Sequence, residues 1–359
     1  MKKKYISVIV VLVVVLFGAL ALRSVFKHTE KNPKENSTKE SRPVLLYEDS
    51  ARNFVRVYPD PNNANVLYLF RPGGSGNSYK EEVYKSTDGG KNFKKLSVNG
   101  SVVAVSPKHP EVVFVGGNSG LFKSNDYGKS WIKTALNDVR DVKFSAGGIL
   151  YVIADKGLFV SYDEGEHFNN VSLNKDVHQW NIFPESGKGS IVYESAQLMH
   201  PKPEMKMGNI FLKSMDYGKT WKEIDRGLNY HLVTAFADNP DDESMLFAGT
   251  SITSGGPGAP ITSKTETGIF KSTDGGSSWK KVLPLELVNA IVVDLDNTNT
   301  IYVGAYKGLF RSTDCGKTWS KVELGDSSKT VVDDVKQSPI SHDIYILQNG
   351  KLYVIRKDR

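Results

Sequence analysis

The sequence predicts an all-β fold, a seven-bladed β-propeller. Three observations predict it: a turn motif recurs six times, its copies stand mostly about 40 residues apart, and the intervening segments have the pattern of short strands. A period near 40 residues with four strands in each unit is typical of propeller blades. The 32 glycines and the 16 Tyr and 16 Phe residues also favour strands joined by many turns.

The motif has the form Ser-x-Asp-x-Gly-x-x-aromatic, and its first copy is KSTDGGKNF at 85–93. A residue that recurs in blade after blade serves a need of each blade, whereas catalysis needs one site. The sequence therefore predicts a structural role for the six aspartates. They are Asp88, Asp126, Asp163, Asp216, Asp274 and Asp314.

Each part of the motif has a physical reason. Asp in a tight turn accepts hydrogen bonds from backbone amides of its own turn, and the Ser hydroxyl is a further local partner. Gly two residues later permits a positive φ. The aromatic residue begins the next strand and packs against neighbouring strands, and four of the five Trp occupy this position.

The two chain ends are predicted to share one blade. Three strands follow the sixth motif, in VVDDVKQS, DIYILQ and KLYVIRK, and a fourth is available from PVLLYED at 43–49. Such sharing closes the ring and removes exposed sheet edges. We therefore expect a propeller domain over 44–359, with six blades and an extra sheet as the alternative.

These motifs resemble Asp boxes, or BNR repeats, and the resemblance covers nearly the whole chain after residue 43. Asp boxes occur in bacterial sialidases, sortilin-type receptors, xyloglucan-degrading propeller hydrolases and photosystem II assembly-factor propellers. The resemblance implies an architecture that enzymes and binding proteins share. Two functions follow from it: a non-catalytic binding or assembly scaffold for a protein, peptide or glycan, and a glycoside hydrolase.

Residues 1–26 are predicted to be a transmembrane anchor or a signal segment. Three lysines precede an apolar run from Ile6 to Leu22, which is just long enough to span a bilayer. The lysines would stay cytoplasmic and the propeller would lie outside, on a flexible polar tether at 27–43. Cleavage after Ala21 would instead release a secreted protein.

Charge and cysteine content exclude several classes of partner. The net charge is +6, yet residues 1–43 hold nine Lys or Arg and three Glu, so the rest of the chain is balanced. A nucleic-acid partner is therefore not expected. Cys315 is the single cysteine, which rules out a disulfide within the chain and a cysteine-based zinc site. No His pair has metal spacing, and we predict neither a metal nor a cofactor.

A ligand is expected on the face opposite the Asp boxes. In an up-and-down blade with strands A to D, the A–B and C–D turns share one face, and the B–C and D–A connections share the other. Three B–C connections are long, at 71–82, 194–208 and 250–268. Function often lies on variable loops of a rigid scaffold. The candidate ligand-binding residues on this face are Trp180, Arg140, His231, Arg71, Tyr230 and His200.

A catalytic site is less well marked. A glycosidase needs two carboxyl groups at a suitable separation. Candidates are Glu81 or Glu194 together with Asp333 or Asp334. A sialidase-like site would need three converging arginines and a nucleophilic tyrosine, and the propeller has few arginines. The binding function is therefore preferred, with the glycoside hydrolase as the alternative.

Overall fold

The computed structural model describes residues 42–49, 53–72, 81–172, 177–186, 189–199, 208–228, 231–251, 267–325 and 331–357. Residues 42–359 form one compact unit. The predicted N-terminal segment (1–26) and nearly all of the predicted tether (27–43) lie outside the described residues. Within the described ranges, no helix is long and apolar enough to cross a membrane.

The described chain consists of antiparallel strands in seven four-stranded sheets, which confirms the predicted seven-bladed propeller. In chain order the strands are β1 (Val44–Glu48), β2 (Arg56–Pro59), β3 (Leu67–Arg71), β4 (Glu82–Ser86), β5 (Lys94–Lys95), β6 (Val102–Val105), β7 (Val113–Gly117), β8 (Gly120–Ser124), β9 (Ile132–Lys133), β10 (Asp141–Phe144), β11 (Leu150–Ala154), β12 (Gly157–Ser161), β13 (Asn169–Asn170), β14 (Val177–Pro184), β15 (Val192–Leu198), β16 (Asn209–Ser214), β17 (Lys222–Glu223), β18 (Leu232–Asn239), β19 (Asp242–Ser251), β20 (Gly268–Ser272), β21 (Lys280–Pro284), β22 (Val288–Val293), β23 (Ile301–Ala305), β24 (Gly308–Ser312), β25 (Ser320–Val322), β26 (Asp334–Gln337), β27 (Ile344–Gln348) and β28 (Lys351–Ile355).

Blades 1 to 6 each take four consecutive strands, starting with β2–β5 and ending with β22–β25. From blade 2 round to blade 1, each strand A contacts the strand A of the next blade, and the strands A of blades 1 and 3 to 7 contribute residues to a central channel. Strand B lies between two neighbouring blades, so both of its faces are buried. This explains why strands B have nearly continuous apolar sequences, such as IYVGA in β23, whose five residues are all buried.

Blade 7 closes the ring with a strand from each end of the propeller. Its order is β26-β27-β28-β1, and Val44 pairs with Val354 and Glu48 with Lys351. Leu46 and Tyr47 of β1 pack against the apolar cluster shared with blade 1. The predicted closure is thus confirmed, and the alternative of six blades with an extra sheet is wrong.

The Asp boxes are compact turns in which the serine and aspartate side chains are hydrogen-bonded, as the box of blade 4 shows. The Ser214 hydroxyl donates to Asp216 Oδ1 at 2.8 Å and accepts from the backbone N–H of Gly218 at 2.8 Å. Asp216 also accepts from the N–H of Thr220 at 2.8 Å and from its hydroxyl at 2.7 Å. Hydrogen bonds from Thr220 and then from Ser214 lower the pKa of Asp216 to about 2.

The same core of contacts recurs in the other five boxes. In each box the serine hydroxyl bonds the aspartate and the glycine N–H, and the aspartate accepts the N–H four residues on. The box glycines have φ between 79° and 96°. These contacts match the local hydrogen bonding and the positive φ that the sequence predicts for the motif.

Candidate ligand-binding site

The central channel is a polar cavity of about 290 Å³. Charged or polar side chains alternate with valine along strands A of blades 1, 3 and 7, so these side chains face the channel while the valines pack between blades. The pairs are Arg56 and Tyr58, Asp141 and Lys143, and Asp334 and Lys336. Burial raises the pKa of Tyr58 to about 12, although the Arg56 charge opposes this shift.

Two channel aspartates join adjacent blades. Asp141 accepts the N–H of Ile182 in blade 4 at 3.1 Å, and Asp334 accepts the N–H of Val57 in blade 1 at 3.1 Å. Each also pairs with the lysine two residues on: Lys143 lies 2.9 Å from Asp141 and Lys336 lies 3.1 Å from Asp334. The contacts of Asp334, a predicted catalytic candidate, are thus those of a structural link.

Strands A of blades 4, 5 and 6 share a β-bulge at one position. The register shifts between Gln179 and Asn181, between Val233 and Ala235, and between Val288 and Ala290. The bulged residues are Trp180, Thr234 and Asn289. Such bulges commonly redirect a side chain beside a functional site.

Trp180 differs from its two counterparts in its hydrogen bonding. The Thr234 hydroxyl donates to Val288 O at 2.6 Å, and Asn289 Nδ2 donates to Val332 O at 2.9 Å, each in the next blade. The indole N–H of Trp180 is buried and has no hydrogen-bond partner among the described residues. The ring itself is half-buried, so part of it remains accessible.

A polar cluster surrounds Trp180 where strands A of blades 3 and 4 begin. The His178 ring lies 4.4 Å from the Trp180 ring at an angle of 62°. Arg140 pairs with Asp138 at 3.2 Å. Burial and the Arg140 charge lower the pKa of His178 below its usual value, while Asp138 partly opposes them. The structure therefore brings together two of the predicted ligand-binding residues, Arg140 and Trp180, by way of His178.

Blade 4 also buries polar groups that have no partner in the described part of the chain. The Ser195 hydroxyl belongs to this group, whereas the buried carboxyl group of Glu194 has the Gln179 side chain as a polar partner. Glu194 is 0% exposed. It lies on the same face of β15 as Val192, which packs against blade 3. Burial raises the pKa of Glu194 to about 8, while nearby Gln179 partly opposes the shift. At neutral pH, Glu194 is mainly an uncharged carboxylic acid.

Two further predicted residues of blade 1 are held by polar contacts, one of them with blade 2. Glu81 accepts the N–H of Asn118 at 3.3 Å. Arg71 pairs with Glu82 at 2.8 Å, and Glu82 also binds Lys95 at 2.6 Å. Burial alone would raise the pKa of Glu82, but Lys95, Tyr84 and Arg71 outweigh it and lower the pKa.

The remaining predicted residues lie apart from this cluster. Asp333 is half-buried at the channel and accepts the N–H of Asn349 at 2.8 Å; burial raises its pKa to about 6. His231 is 5% exposed and immediately precedes β18. Tyr230 and His200 lie outside the described residues, as do most positions of the three long B–C connections. The ligand-binding and catalytic roles of these residues stay predictions.

Sequence reasoning missed His178 and Gln179 as members of the cluster, and Arg56, Lys143 and Lys336 as channel residues. The channel residues carried a readable signal, because a charge at every second position of a short strand indicates one polar face. Gln179 carried no such signal, since its burial follows from the contact between two blades.

Comparison with known proteins supports the fold. The BNR-Asp box repeat family matches residues 121–134. A probable oligoxyloglucan-reducing end-specific xyloglucanase from Neosartorya fischeri is 27% identical over 261 residues, which are 60% of this chain and 29% of that protein. The chain thus spans less than a third of this curated relative.

Two kinds of solved structure are similar. The GH74 enzyme of Niastella koreensis has a TM-score of 0.61 at 21% identity, covering 82% of this chain and 50% of that chain. YCF48 bound to D1 peptide has a TM-score of 0.59 at 14% identity, covering 88% of this chain and 97% of that chain. At these identities the likeness concerns the fold. The protein is a seven-bladed β-propeller that carries Asp-box repeats.

Proposed function

We propose that this propeller is a non-catalytic binding or assembly module for a protein, peptide or glycan, and that its ligand binds on the B–C face of blades 3 and 4. One observation carries the proposal: the half-buried Trp180 has a buried indole N–H without a partner among the described residues, and its ring lies against His178 near the Arg140–Asp138 pair. Buried polar groups are normally hydrogen-bonded, so a buried polar group without a partner calls for an explanation.

The chemistry of the cluster fits a ligand with both an apolar face and hydrogen-bonding groups. The exposed part of the Trp180 ring offers a flat apolar surface, as indoles do in many interfaces. The Arg140–Asp138 pair offers a cation and a carboxylate beside it. His178 is mainly uncharged at pH 7, because its pKa is lowered, so its ring has one donor and one acceptor nitrogen.

The relatives support a binding module in a limited way. The likeness to YCF48 extends over 97% of a protein whose structure contains a bound peptide. The likeness to the GH74 enzyme of Niastella koreensis extends over 50% of that chain. This chain therefore corresponds to nearly all of a peptide-binding propeller and to half of an enzyme.

Arrays of glycans and peptides, probed with the full-length protein, test the proposal. We expect a reproducible ligand whose binding Trp180→Ala weakens by about 2 kcal/mol or more, the effect typical of an aromatic anchor. Tyr162→Ala is the matched control, because Tyr162 is 50% exposed and belongs to the Asp box of blade 3, on the opposite face. Equal binding by the parent and Trp180→Ala would refute the proposed position.

A glycoside hydrolase is the second candidate, and Asp333 is the observation that favours it. Its raised pKa of about 6 and its place at the channel suit a group that donates a proton in slightly acidic solution. The names of the relatives make xyloglucan the first substrate to try. Release of reducing sugar by the parent, and its loss in Asp333→Asn with an unchanged melting temperature, would establish this activity.

We also propose that residues 1–26 anchor the propeller outside the cytoplasm. The apolar run from Ile6 to Leu22 and the lysines before it carry this proposal. Protease treatment of intact cells should remove the propeller while a membrane-bound fragment remains. Recovery of the propeller in the medium would instead indicate cleavage near Ala21.

A further inference from the structure

The contacts between neighbouring blades follow one pattern, with one exception. The aromatic residue of each Asp box lies immediately before strand D of its blade and packs into the apolar cluster shared with the preceding blade of the ring. Blade 7 has no box, because its strand D is β1 from the start of the propeller. Pro43 stands at the position where the other blades carry Trp or Phe. The six box aromatics are Phe93, Trp131, Phe168, Trp221, Trp279 and Trp319.

An open groove lies beside β1, at the contact between blades 6 and 7. It has a volume of about 830 Å³. Its apolar wall is formed by Leu45 and Tyr353 of blade 7 and by Val322 and Leu324 of blade 6, together with Pro43. Among the described residues, the cluster shared by these two blades includes no box aromatic. The groove therefore opens at the one contact between blades that no box aromatic fills, and we call it the seam groove.

The strand beside the seam groove, β1, also differs from most outer strands of the other blades. It ends its sheet, so one edge pairs with β28 and the other edge pairs with no strand of the described chain. The strands β5, β9, β13 and β17 have two residues each, β25 has three, and the longer β21 begins with two lysines and ends with proline. Short strands, lysine and proline protect sheet edges from pairing. The five residues of β1 include neither lysine nor proline.

Part of β1 is apolar and accessible. Val44 is 58% exposed and Leu45 is 46% exposed. The β-bulge of the strand lies at Leu46, which packs with Tyr47 into the cluster shared with blade 1. The outer edge of β1 thus offers backbone groups and apolar side chains that another strand can cover.

The charges at the two ends of β1 are complementary to each other. Arg42 is exposed just before the strand, and Glu48 and Asp49 stand at its end. If two copies of β1 pair antiparallel with Leu45 opposite Leu45, residue 42 of each copy lies opposite residue 48 of the other. Each Arg42 then meets an acidic end, and opposite charges across a pair of strands stabilise it. Glu48 already pairs with Lys351 at 3.3 Å, but a carboxylate can accept further donors.

We propose that the outer edge of β1 binds a second copy of this chain, by antiparallel pairing with the same strand of that copy around a two-fold axis at Leu45. The pairing joins the two blades 7 into one eight-stranded sheet. Because Leu45 lines the seam groove, the grooves of the two copies adjoin at the axis and each Leu45 lies beside the other. Such a contact is self-complementary and closed, so it gives a dimer and covers both edges.

Cysteine cross-linking of the full-length protein in detergent tests the two-fold axis. Leu45→Cys and Val44→Cys are each made together with Cys315→Ser, which removes the single natural thiol. Directly opposed residues of antiparallel strands have Cα atoms about 4.5–5.5 Å apart, a distance that a disulfide spans. The two Val44 positions would be diagonal neighbours, about 7–8 Å apart. Under mild oxidation, Leu45→Cys should give a covalent dimer, and Val44→Cys should give at least about fivefold less, although Val44 is the more exposed residue.

Reversal of charge tests the pairing without changing an apolar residue. Arg42→Glu, and separately the double variant Glu48→Lys, Asp49→Lys, should each weaken the dimer about tenfold or more, because like charges then face each other. An equimolar mixture of the two variants should associate as tightly as the parent, since each chain then carries the charges that its partner lacks. Sedimentation velocity measures the dissociation constants. Lys156→Glu, exposed in the B–C turn of blade 3, is the control and should have no effect.

Three results would overturn the proposal: a parent protein that stays monomeric, equal cross-linking of the two cysteine variants, or a mixture of the charge variants that associates no better than its components. This dimer does not depend on the ligand site of blades 3 and 4, which lies elsewhere in the ring. Trp180→Ala should therefore dimerise like the parent. Failure of the dimer leaves the B–C site standing, and the reverse also holds.

Discussion

The Asp boxes and the B–C end of blade 4 differ in the hydrogen bonding of their polar side chains. In the boxes, each serine hydroxyl and each aspartate has several partners within its own turn. In blade 4, the indole N–H of Trp180 and the hydroxyl of Ser195 are buried without a partner in the described chain. The difference teaches that the repeated serine and aspartate contacts build the scaffold, whereas Trp180, a half-buried tryptophan outside any box, marks a place where a ligand can add contacts.

The largest expected effect separates a buried scaffold tryptophan from the half-buried Trp180. Trp279 is 7% exposed, packs in the cluster of blades 4 and 5, and donates to Ile224 O at 2.5 Å. Trp279→Ala should lower the free energy of unfolding by about 3–5 kcal/mol, through lost burial and a cavity. Denaturant titration measures the change. An equally large loss of unfolding free energy in Trp180→Ala would show that Trp180 is also a structural residue.

A smaller loss is expected from the box serine. Ser124 is 1% exposed, donates to Asp126 at 2.7 Å and accepts from the Gly128 N–H at 2.8 Å. Ser124→Ala removes the buried acceptor of the Gly128 N–H, so we expect a cost of about 1–3 kcal/mol. Thermal or denaturant unfolding checks it, with Ser130→Ala in the exposed part of the same box as the milder control. A neutral outcome for Ser124→Ala would mean that the box needs only its aspartate.

The buried acid of blade 4 should make stability depend on pH. The pKa of Glu194 is raised to about 8 from its ordinary value of 4.5, so the folded protein binds the proton more tightly than the unfolded chain. Stability therefore falls as pH rises between about 4.5 and 8, by at most about 1.4 kcal/mol for each pH unit. Glu194→Gln, which stays neutral, should remove this part of the slope. Parallel pH profiles of the parent and the variant would contradict the assignment.

The fold could be predicted from sequence because propeller blades repeat. Six boxes fixed the period, and the apolar strands between them gave the order within each blade. The closing strand followed from counting strands, since KLYVIRK lacked a partner that PVLLYED could supply. Each of these signals is local or periodic, so it can be recognised in the sequence without knowledge of the tertiary structure.

The candidate site could be predicted only in part. Trp180 stood out as the single tryptophan outside a box, and Arg140 as a charge at the start of a strand. Asp333 and Asp334 looked alike in sequence and both line the channel, yet Asp334 accepts an N–H from blade 1 whereas Asp333 accepts one from its own blade. Gln179 and Glu194 could not be singled out by their environment, because their burial arises only when the blades pack together.

The central claim, that the boxes are scaffold and the B–C end of blade 4 binds the ligand, is tested most directly by one paired measurement. Melting temperature and binding to the array ligand are recorded together for Ser124→Ala and Trp180→Ala. The account predicts that Ser124→Ala melts several degrees lower and keeps its binding wherever it is folded. Trp180→Ala should melt near the parent and lose most of its binding. Loss of binding in a folded Ser124→Ala protein, with full binding retained by Trp180→Ala, would contradict the account.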